Sequence, residues 1–163
     1  MGCVKTVIKV IGIGNRLMTD DGIAIAIMGN LKSRLESMGL EVIIGETDFQ
    51  YCFHHIKEDD FVIILDAICL NSAAGSIYSC SLHKALDSYG ETGSQHAMSI
   101  FDLMRLYAIP VKGCFIGINA AEIGFGCELS GTLKCNFNRI CLEVERLICR
   151  IMEEEQHIQY IIM

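Results

Sequence analysis

Residues 61–65 read FVIIL and are followed directly by Asp66. An uninterrupted apolar run of this length is typical of a strand buried on both faces, as in parallel sheets covered by helices. A carboxylate that closes so apolar a run costs free energy unless it is paired or coordinated. The stretch therefore predicts a central strand of an α/β sheet and a candidate functional residue at its end.

The pattern of the flanking sequence extends this sheet in both directions. Alternating or β-branched runs predict four further strands, and apolar residues at helical spacing predict four helices. The strands are expected at 4–13, 41–47, 76–82 and 111–119, and the helices at 23–39, 49–57, 97–107 and from Ser130 onward. A polar, glycine-containing connection is expected at 83–95. This order predicts a three-layer αβα sandwich in one domain, 1–163, with a mostly parallel five-stranded sheet and one antiparallel edge strand.

The amino-acid composition excludes several classes of protein. The 163 residues are 52% hydrophobic and 20% charged, which excludes a disordered chain. Lys and Arg number 13 against 20 Asp and Glu, a formal net charge of -7 without a basic run. Nucleic acid is therefore not an expected partner. No apolar stretch reaches the roughly 20 residues of a spanning helix, so no membrane association is expected.

Nine cysteines are the unusual feature of the composition. Their odd number and the lack of C-x-x-C spacing argue against a disulfide or zinc framework. They are interpreted as small buried hydrophobic residues of a protein in the reducing cytoplasm. The N-terminal MGCVKT fits a loose myristoylation pattern, which is interpreted as accidental because Val4 already begins a strand.

Three polar side chains are expected to meet at one edge of the sheet. In open α/β sheets, sites form beyond the carboxyl ends of the parallel strands. Asp21 follows the first strand, Asp66 closes the third, and His96 precedes a helix. Two carboxylates and an imidazole suit nickel, zinc or manganese, and they also suit general acid–base chemistry.

Structural roles compete with each of these assignments. Asp20 or Asp21 could cap the first helix, Asp66 could bond to backbone amides, and His96 could cap its own helix. Cys69 could be a nucleophile activated by the histidine, although a buried core cysteine is the preferred interpretation. The cluster of His54, His55 and 58–60 is interpreted as a solvated helix face rather than a metal site.

Other glycine- or serine-based motifs are incomplete. A G-x-G-x-x-G dinucleotide fingerprint after the first strand would need glycine where Leu17 stands. The sequence also contains no G-K-[ST] and no G-x-S-x-G.

The order of these motifs resembles the [NiFe]-hydrogenase maturation endopeptidases, which process the hydrogenase large subunit. The resemblance covers nearly the whole chain and is carried by GIGN (12–15), LMTDDG (17–22), LDA (65–67), SQH (94–96), IGI (116–118) and GCELS (126–130). The first two motifs are fairly specific, and the others gain weight from their order.

The resemblance implies an activity and a site. Members of this family remove a C-terminal extension from the large-subunit precursor after nickel has been inserted. It implies that nickel belongs to the substrate, that no organic cofactor is needed, and that Asp21, Asp66 and His96 recognise the metal and serve catalysis. We expect a cytoplasmic monomer whose partner is the precursor.

Two departures from the family pattern keep other functions open. GETD stands at 45–48 where the family has D-G-G-T, unless Asp48 substitutes from a shifted position, and Gln95 replaces a common proline. A homologue that binds nickel or the precursor without cutting is therefore one alternative. A nucleotide-binding α/β protein that uses the 12–15 turn is another.

Overall fold

The computed structural model describes residues 6–88 and 99–162, the last four as backbone only. Its strands are β1 (Ile8–Ile13), β2 (Glu41–Glu46), β3 (Phe61–Ile68), β4 (Ile77–Ser81) and β5 (Lys112–Asn119). Its α-helices are α1 (Ile23–Ser37), α2 (Phe49–His54), α3 (Leu82–Ser88), α4 (Ile100–Leu106) and α5 (Gly131–Ile162). A short 3-10 helix, Thr19–Gly22, leads into α1.

The five strands form one sheet in the order β2-β1-β3-β5-β4. β1 pairs in parallel with β2 and β3, β3 pairs in parallel with β5, and β4 runs antiparallel to β5 at the edge. The predicted mixed sheet with one antiparallel edge strand is therefore confirmed.

The sheet separates two apolar cores. One core lies under α1 and α5 and receives alternate strand residues such as Val10, Ile63 and Leu65. The other lies under α2, α3 and α4 and receives the intervening residues, such as Ile11, Val62 and Ile64. Val62 to Leu65 are fully buried, as the uninterrupted apolar run of β3 predicts.

One helix of the structure was not predicted. Leu82–Ser88 is the helix α3, although Leu82 was expected to end a strand and 83–88 to belong to a polar connection. Leu82 is fully buried, and Ala85 and Leu86 pack against the second core. Packing of this narrow apolar stripe offsets the weak helical signal of a seven-residue polar segment.

Other element ends agree with local signals. Ser99 starts α4 through a capping box with Asp102, because each side chain accepts a hydrogen bond from the other residue's backbone N–H. Ser130 caps α5 by accepting from the N–H of Leu133 at 3.3 Å. Within the described ranges, no helix has the length and apolar character needed to cross a membrane.

Candidate active site

The turn after β1 brings the following segment back against the end of the strand. Gly14 has φ of +145°, and a Cβ atom at this position would lie only 2.1 Å from the carbonyl oxygen of Asp21. Only glycine fits so close an approach of two backbone segments. As a result, the 3-10 helix that contains Asp21 packs directly against the carboxyl end of β1.

Asp21 is held at this edge by the turn itself. The residue is 9% exposed, and its Oδ2 atom accepts a hydrogen bond from the N–H of Asn15 at 2.9 Å. Neither Asp20 nor Asp21 caps α1 through its side chain. The helix-capping role considered from the sequence is therefore wrong for both residues. Asp21 therefore lies at the sheet edge with its carboxylate fixed relative to β1.

Asp66 lies inside β3, not after it as the sequence indicated. The strand continues to Ile68 because β5 pairs with its last three residues, including Asp66 with Gly117. The pairing of β1 with β3, in contrast, ends at Gly12 and Leu65. Asp66 is consequently the first residue of β3 that extends beyond its neighbour β1, and it is half-buried.

The two carboxylates are close enough for their charges to interact. The pKa of Asp66 is raised well above its usual range, first by burial and second by the negative charge of Asp21. A hydrogen bond that its Oδ1 accepts from the N–H of Ala67, at 2.8 Å, opposes the rise in pKa. A bound cation or a shared proton would relieve this repulsion, as in other paired carboxylates.

The third predicted site residue, His96, lies outside the described residues. Across 6–88 and 99–162, no three side chains of His, Cys, Asp or Glu are placed to hold a metal ion. Asp21 and Asp66 thus form a pair whose remaining ligands would come from elsewhere, including from a bound substrate.

Asp20, the neighbour of Asp21, has a structural role. It is fully buried, and its carboxylate accepts four hydrogen bonds from the connection between β5 and α5. The donors are the N–H groups of Ala121 (2.9 Å), Glu122 (3.0 Å) and Ser130 (2.7 Å) and the hydroxyl of Ser130 (2.8 Å). Asp20 therefore fastens the 3-10 helix to the start of α5 and so fixes the position of Asp21.

Cys69 differs from its expected environment. It is exposed, so the interpretation as a buried core cysteine is wrong. Partial burial of its thiol, then the charges of Asp21 and Asp66, raise its pKa. The thiolate is the nucleophilic form of cysteine, so this environment disfavours attack by Cys69.

The other cysteines also differ in burial. The eight described cysteines are free; Cys52 and Cys141 are buried, whereas Cys127 and Cys135 are exposed. The general expectation of buried cysteines is thus correct only in part. Burial raises the pKa of Cys52 and of Cys141 to about 11, so both remain inert thiols near neutral pH.

The segment that departs from the family pattern borders the same edge. Glu46 adopts φ of +50°, a left-handed conformation that favours glycine, and its carboxylate pairs with Arg16 at 2.9 Å. Gly45 cannot carry a side chain, since a Cβ there would lie 1.9 Å from Sγ of Cys52. Asp48 caps α2 by accepting from the N–H of Tyr51 at 2.8 Å, so a second role as a displaced site aspartate is not supported.

The histidine cluster on α2 does not form a metal site. Nδ1 of His54 lies 2.6 Å from the carbonyl oxygen of Gln50, and Nδ1 of His55 lies 2.8 Å from that of Tyr51. Asp60, in contrast, points into the protein and is 4% exposed. The interpretation of this cluster as a solvated face therefore fits His54, which is exposed, and is wrong for Asp60.

Comparison with protein-family models gives a match over most of the chain. The family model HycI, hydrogenase maturation protease, matches residues 25–147. No curated protein sequence matches the chain significantly.

Solved structures of the same kind share the fold. The [NiFe] hydrogenase maturation protease HybD from Thermococcus kodakarensis is 27% identical with a TM-score of 0.69, over 87% of this chain and 99% of that one. The hydrogenase maturating endopeptidase HybD from E. coli is 21% identical with a TM-score of 0.73, over 89% and 93%. The protease HycI from Thermococcus kodakarensis KOD1 is 20% identical with a TM-score of 0.68, over 92% and 94%.

Proposed function

The chain belongs to the hydrogenase maturation protease family and is a peptidase, and on this premise we propose that it removes the C-terminal extension of a nickel-loaded [NiFe]-hydrogenase large-subunit precursor. The nickel is part of the substrate. Asp21, Asp66 and His96 recognise it, and no organic cofactor takes part. The enzyme acts as a cytoplasmic monomer without nucleic acid or membrane.

The observation that carries this proposal is the Asp21–Asp66 pair. Two carboxylates on different segments are held within electrostatic reach at the carboxyl edge of the sheet, where burial and mutual repulsion raise the pKa of Asp66. Perturbed acids of this kind concentrate at functional sites. A divalent cation carried by the substrate would replace repulsion by attraction, so the pair favours a metal-loaded precursor over a metal-free one.

The same pair supports peptide hydrolysis. A water oxygen must attack the scissile carbonyl carbon while its proton is removed, and the departing amine must receive a proton as the C–N bond breaks. A cation near the bond lowers the pKa of a bound water and polarises the carbonyl. Asp66 is the proposed proton acceptor, because the cation favours its ionised form while the water attacks, and the proton it gains can then pass to the departing amine.

The position of His96 in this scheme rests on its place in the sequence. An imidazole nitrogen is a suitable ligand for nickel beside two carboxylate oxygens. Three weak ligands suit an enzyme that must recognise the nickel without removing it from its site in the precursor. Arg16 and Glu46 lie near the same edge and are the proposed replacements for the family's D-G-G-T in positioning the peptide.

Incubation of the protein with a large-subunit precursor tests the proposal. The precursor is prepared nickel-loaded and metal-free, and its C-terminus is followed by mass spectrometry. Cleavage of the nickel-loaded form alone is expected. Asp21→Asn and His96→Ala are expected to lower the rate at least about a hundredfold, since each removes a metal contact or its charge.

Asp59→Asn is the matched control, because Asp59 is an exposed carboxylate just before β3, at the amino end of the parallel strands. This variant should cleave at the wild-type rate. Equal cleavage of both precursor forms would contradict nickel recognition, and capture of the precursor without shortening would favour the non-cleaving alternative.

A further inference from the structure

A cleft of about 360 Å³ lies between the edge strand β4 and the helix α5. Its walls combine apolar, hydroxyl and charged side chains: Ile77, Ser79, Glu143, Arg146, Leu147 and Arg150. This volume falls within the range of ligand-binding pockets. Ile77 and Leu147 pack against the core under α1 and α5, and neither Asp21 nor Asp66 lines the cleft.

Two arginines of the cleft wall form no ion pair among the described residues. The chain has six arginines, of which four form ion pairs: Arg16 with Glu46, Arg34 with Glu145, Arg105 with Asp102 and Arg139 with Glu143. Arg146 and Arg150, one helical turn apart, are both exposed and have no ion pair within 6–88 and 99–162.

The acidic residue in the cleft forms no ion pair with these two arginines. Glu143 is engaged with Arg139, whose Nη1 lies 2.8 Å from its Oε1 atom. The glutamates at 153–155 follow Arg150 on α5, but none of them lines the cleft. The cleft wall itself therefore presents two guanidinium groups without an ion pair among the described residues. Guanidinium groups bind carboxylates and phosphates through paired hydrogen bonds.

β4 forms the other wall of the cleft. Among the described residues, no further strand pairs with its outer side. β4 is the last strand in the order β2-β1-β3-β5-β4. Its sequence, IYSCS, contains none of the charges or prolines that usually prevent further strands from pairing. The opposite edge strand, β2, carries Glu41 and Glu46 at its two ends.

The edge of β4 is also within reach of the carboxylate pair. Asp66 pairs with Gly117, and Gly117 pairs with Tyr78 of β4. With about 4.8 Å between strands, Asp66 lies roughly 10 Å from β4 and roughly 14 Å from a strand added beside it. About five extended residues would span that distance, at roughly 3.3 Å each.

We propose that the β4–α5 cleft docks an extended acidic segment of the hydrogenase precursor. The segment adds to the edge of β4 as a strand, directs one carboxylate side chain between Arg146 and Arg150, and continues over the sheet edge toward Asp66. A peptide is favoured over a free phosphate because only a peptide can use both the cationic cleft and the open strand edge. The partner named here rests on the proposed function.

Charge reversal tests the cleft. Arg146→Glu and Arg150→Glu are compared with Lys57→Glu, an exposed lysine outside the cleft with the same change in charge. Binding of the metal-free precursor is measured by titration calorimetry, and cleavage of the nickel-loaded precursor gives kcat and KM. Each arginine variant should raise Kd and KM at least about tenfold with kcat unchanged, and Lys57→Glu should leave both near wild type.

Hydrogen exchange tests the strand. On binding of the precursor, the amides of 77–81 should exchange more slowly in the wild type and not in Arg146→Glu. Circular dichroism of the variants verifies that these exposed substitutions preserve the fold.

The outcomes separate this inference from the proposed function. If the wild type binds but does not cut the precursor, and the arginine variants bind weakly, the proposed function fails and the docking site stands. If cleavage occurs and the arginine variants match Lys57→Glu in Kd and KM, the docking site is wrong. Binding of inorganic phosphate in the cleft with no effect of either variant on the precursor would also overturn it.

Discussion

The amino and carboxyl ends of β1 and β3 carry charged pairs of different kinds. At the amino end, Lys9 and Asp60 form an ion pair of 2.9 Å, with both side chains 5% exposed. At the carboxyl end, the charge that acts on Asp66 is the like charge of Asp21, and it raises the pKa of Asp66.

The difference separates a structural pair from a candidate functional one. Lys9 and Asp60 neutralise each other, and Asp60 also accepts from the N–H of Lys57 at 2.7 Å. This buried ion pair therefore needs no partner from outside the protein. Asp66 is costly in the folded state without a proton or a cation, and residues that cost stability in this way are expected where a substrate supplies the missing partner.

The largest change in stability is expected at the amino end. Asp60→Asn removes the nearer charged partner of the buried Lys9 ammonium and leaves only the longer contact with Glu41 at 3.7 Å. This loss should lower the free energy of unfolding by about 3–4 kcal/mol. Urea unfolding measures this loss. Asp59→Asn, a neighbouring exposed carboxylate, should change stability by less than about 0.5 kcal/mol; an equal effect of both variants would show that the buried pair contributes nothing specific.

A smaller loss is expected for the residue that fixes the position of Asp21. Asp20→Asn replaces one acceptor oxygen by a donor, so buried N–H groups of the β5–α5 connection lose their acceptors, at a cost of about 2–3 kcal/mol. Asp21→Asn keeps an oxygen for the N–H of Asn15 and should cost under about 1 kcal/mol. Unfolding midpoints compare the two, and the reverse ranking would contradict the roles assigned to them.

The unfavourable environment of Asp66 at the carboxyl end should make the free energy of unfolding depend on pH. Because the folded-state pKa of Asp66 is raised, the folded protein binds more protons than the unfolded chain above the ordinary aspartate pKa of about 3.9. Wild-type stability from this group therefore falls as pH rises from about 4 through the raised pKa. Asp66→Asn has no ionisable side chain at this position, so its stability lacks this pH dependence.

The free energy of unfolding of Asp66→Asn minus that of the wild type should accordingly increase with pH and then level off. Urea unfolding at pH 4.5, 6.0 and 7.5 gives this difference. A difference that stays constant, or that shrinks as pH rises, would mean that Asp66 is not strained by burial and by Asp21.

The smallest effect on stability is expected in the segment 45–48, whose sequence departs from the family pattern. Glu46→Gly removes a side chain from a left-handed backbone position, which should raise the free energy of unfolding by about 1 kcal/mol. Glu46→Ala loses the exposed pair with Arg16 but keeps the Cβ atom, so it should bring no gain. If alanine and glycine stabilise equally, the backbone at this position is not strained.

Much of the fold follows from local patterns. The apolar run 61–65 predicts the buried central strand, and the order of elements predicts the parallel sheet and its antiparallel edge. The helix 82–88 was missed because its stability comes from packing against the second core rather than from its own sequence.

The proximity of the two carboxylates of the candidate site was predictable from the sequence, whereas the contacts of Asp20 were not. The rule that sites form at the carboxyl edge places Asp21 and Asp66 together. It cannot show that Asp20 instead bonds to a connection about a hundred residues further along the chain, since such contacts depend on tertiary structure. The length of β3 beyond Leu65 depends likewise on pairing with β5.

The most direct test compares Asp66→Asn with Asp60→Asn in the cleavage of nickel-loaded precursor, per folded molecule, at a pH near 7.5. We predict that Asp66→Asn loses at least about a thousandfold in kcat/KM, equivalent to about 4 kcal/mol of transition-state stabilisation, while its fold is no less stable than the wild type. Asp60→Asn should cleave at the wild-type rate despite its weakened fold. Wild-type cleavage by Asp66→Asn, or equal losses in both variants, would contradict the assignment of function to the carboxyl end.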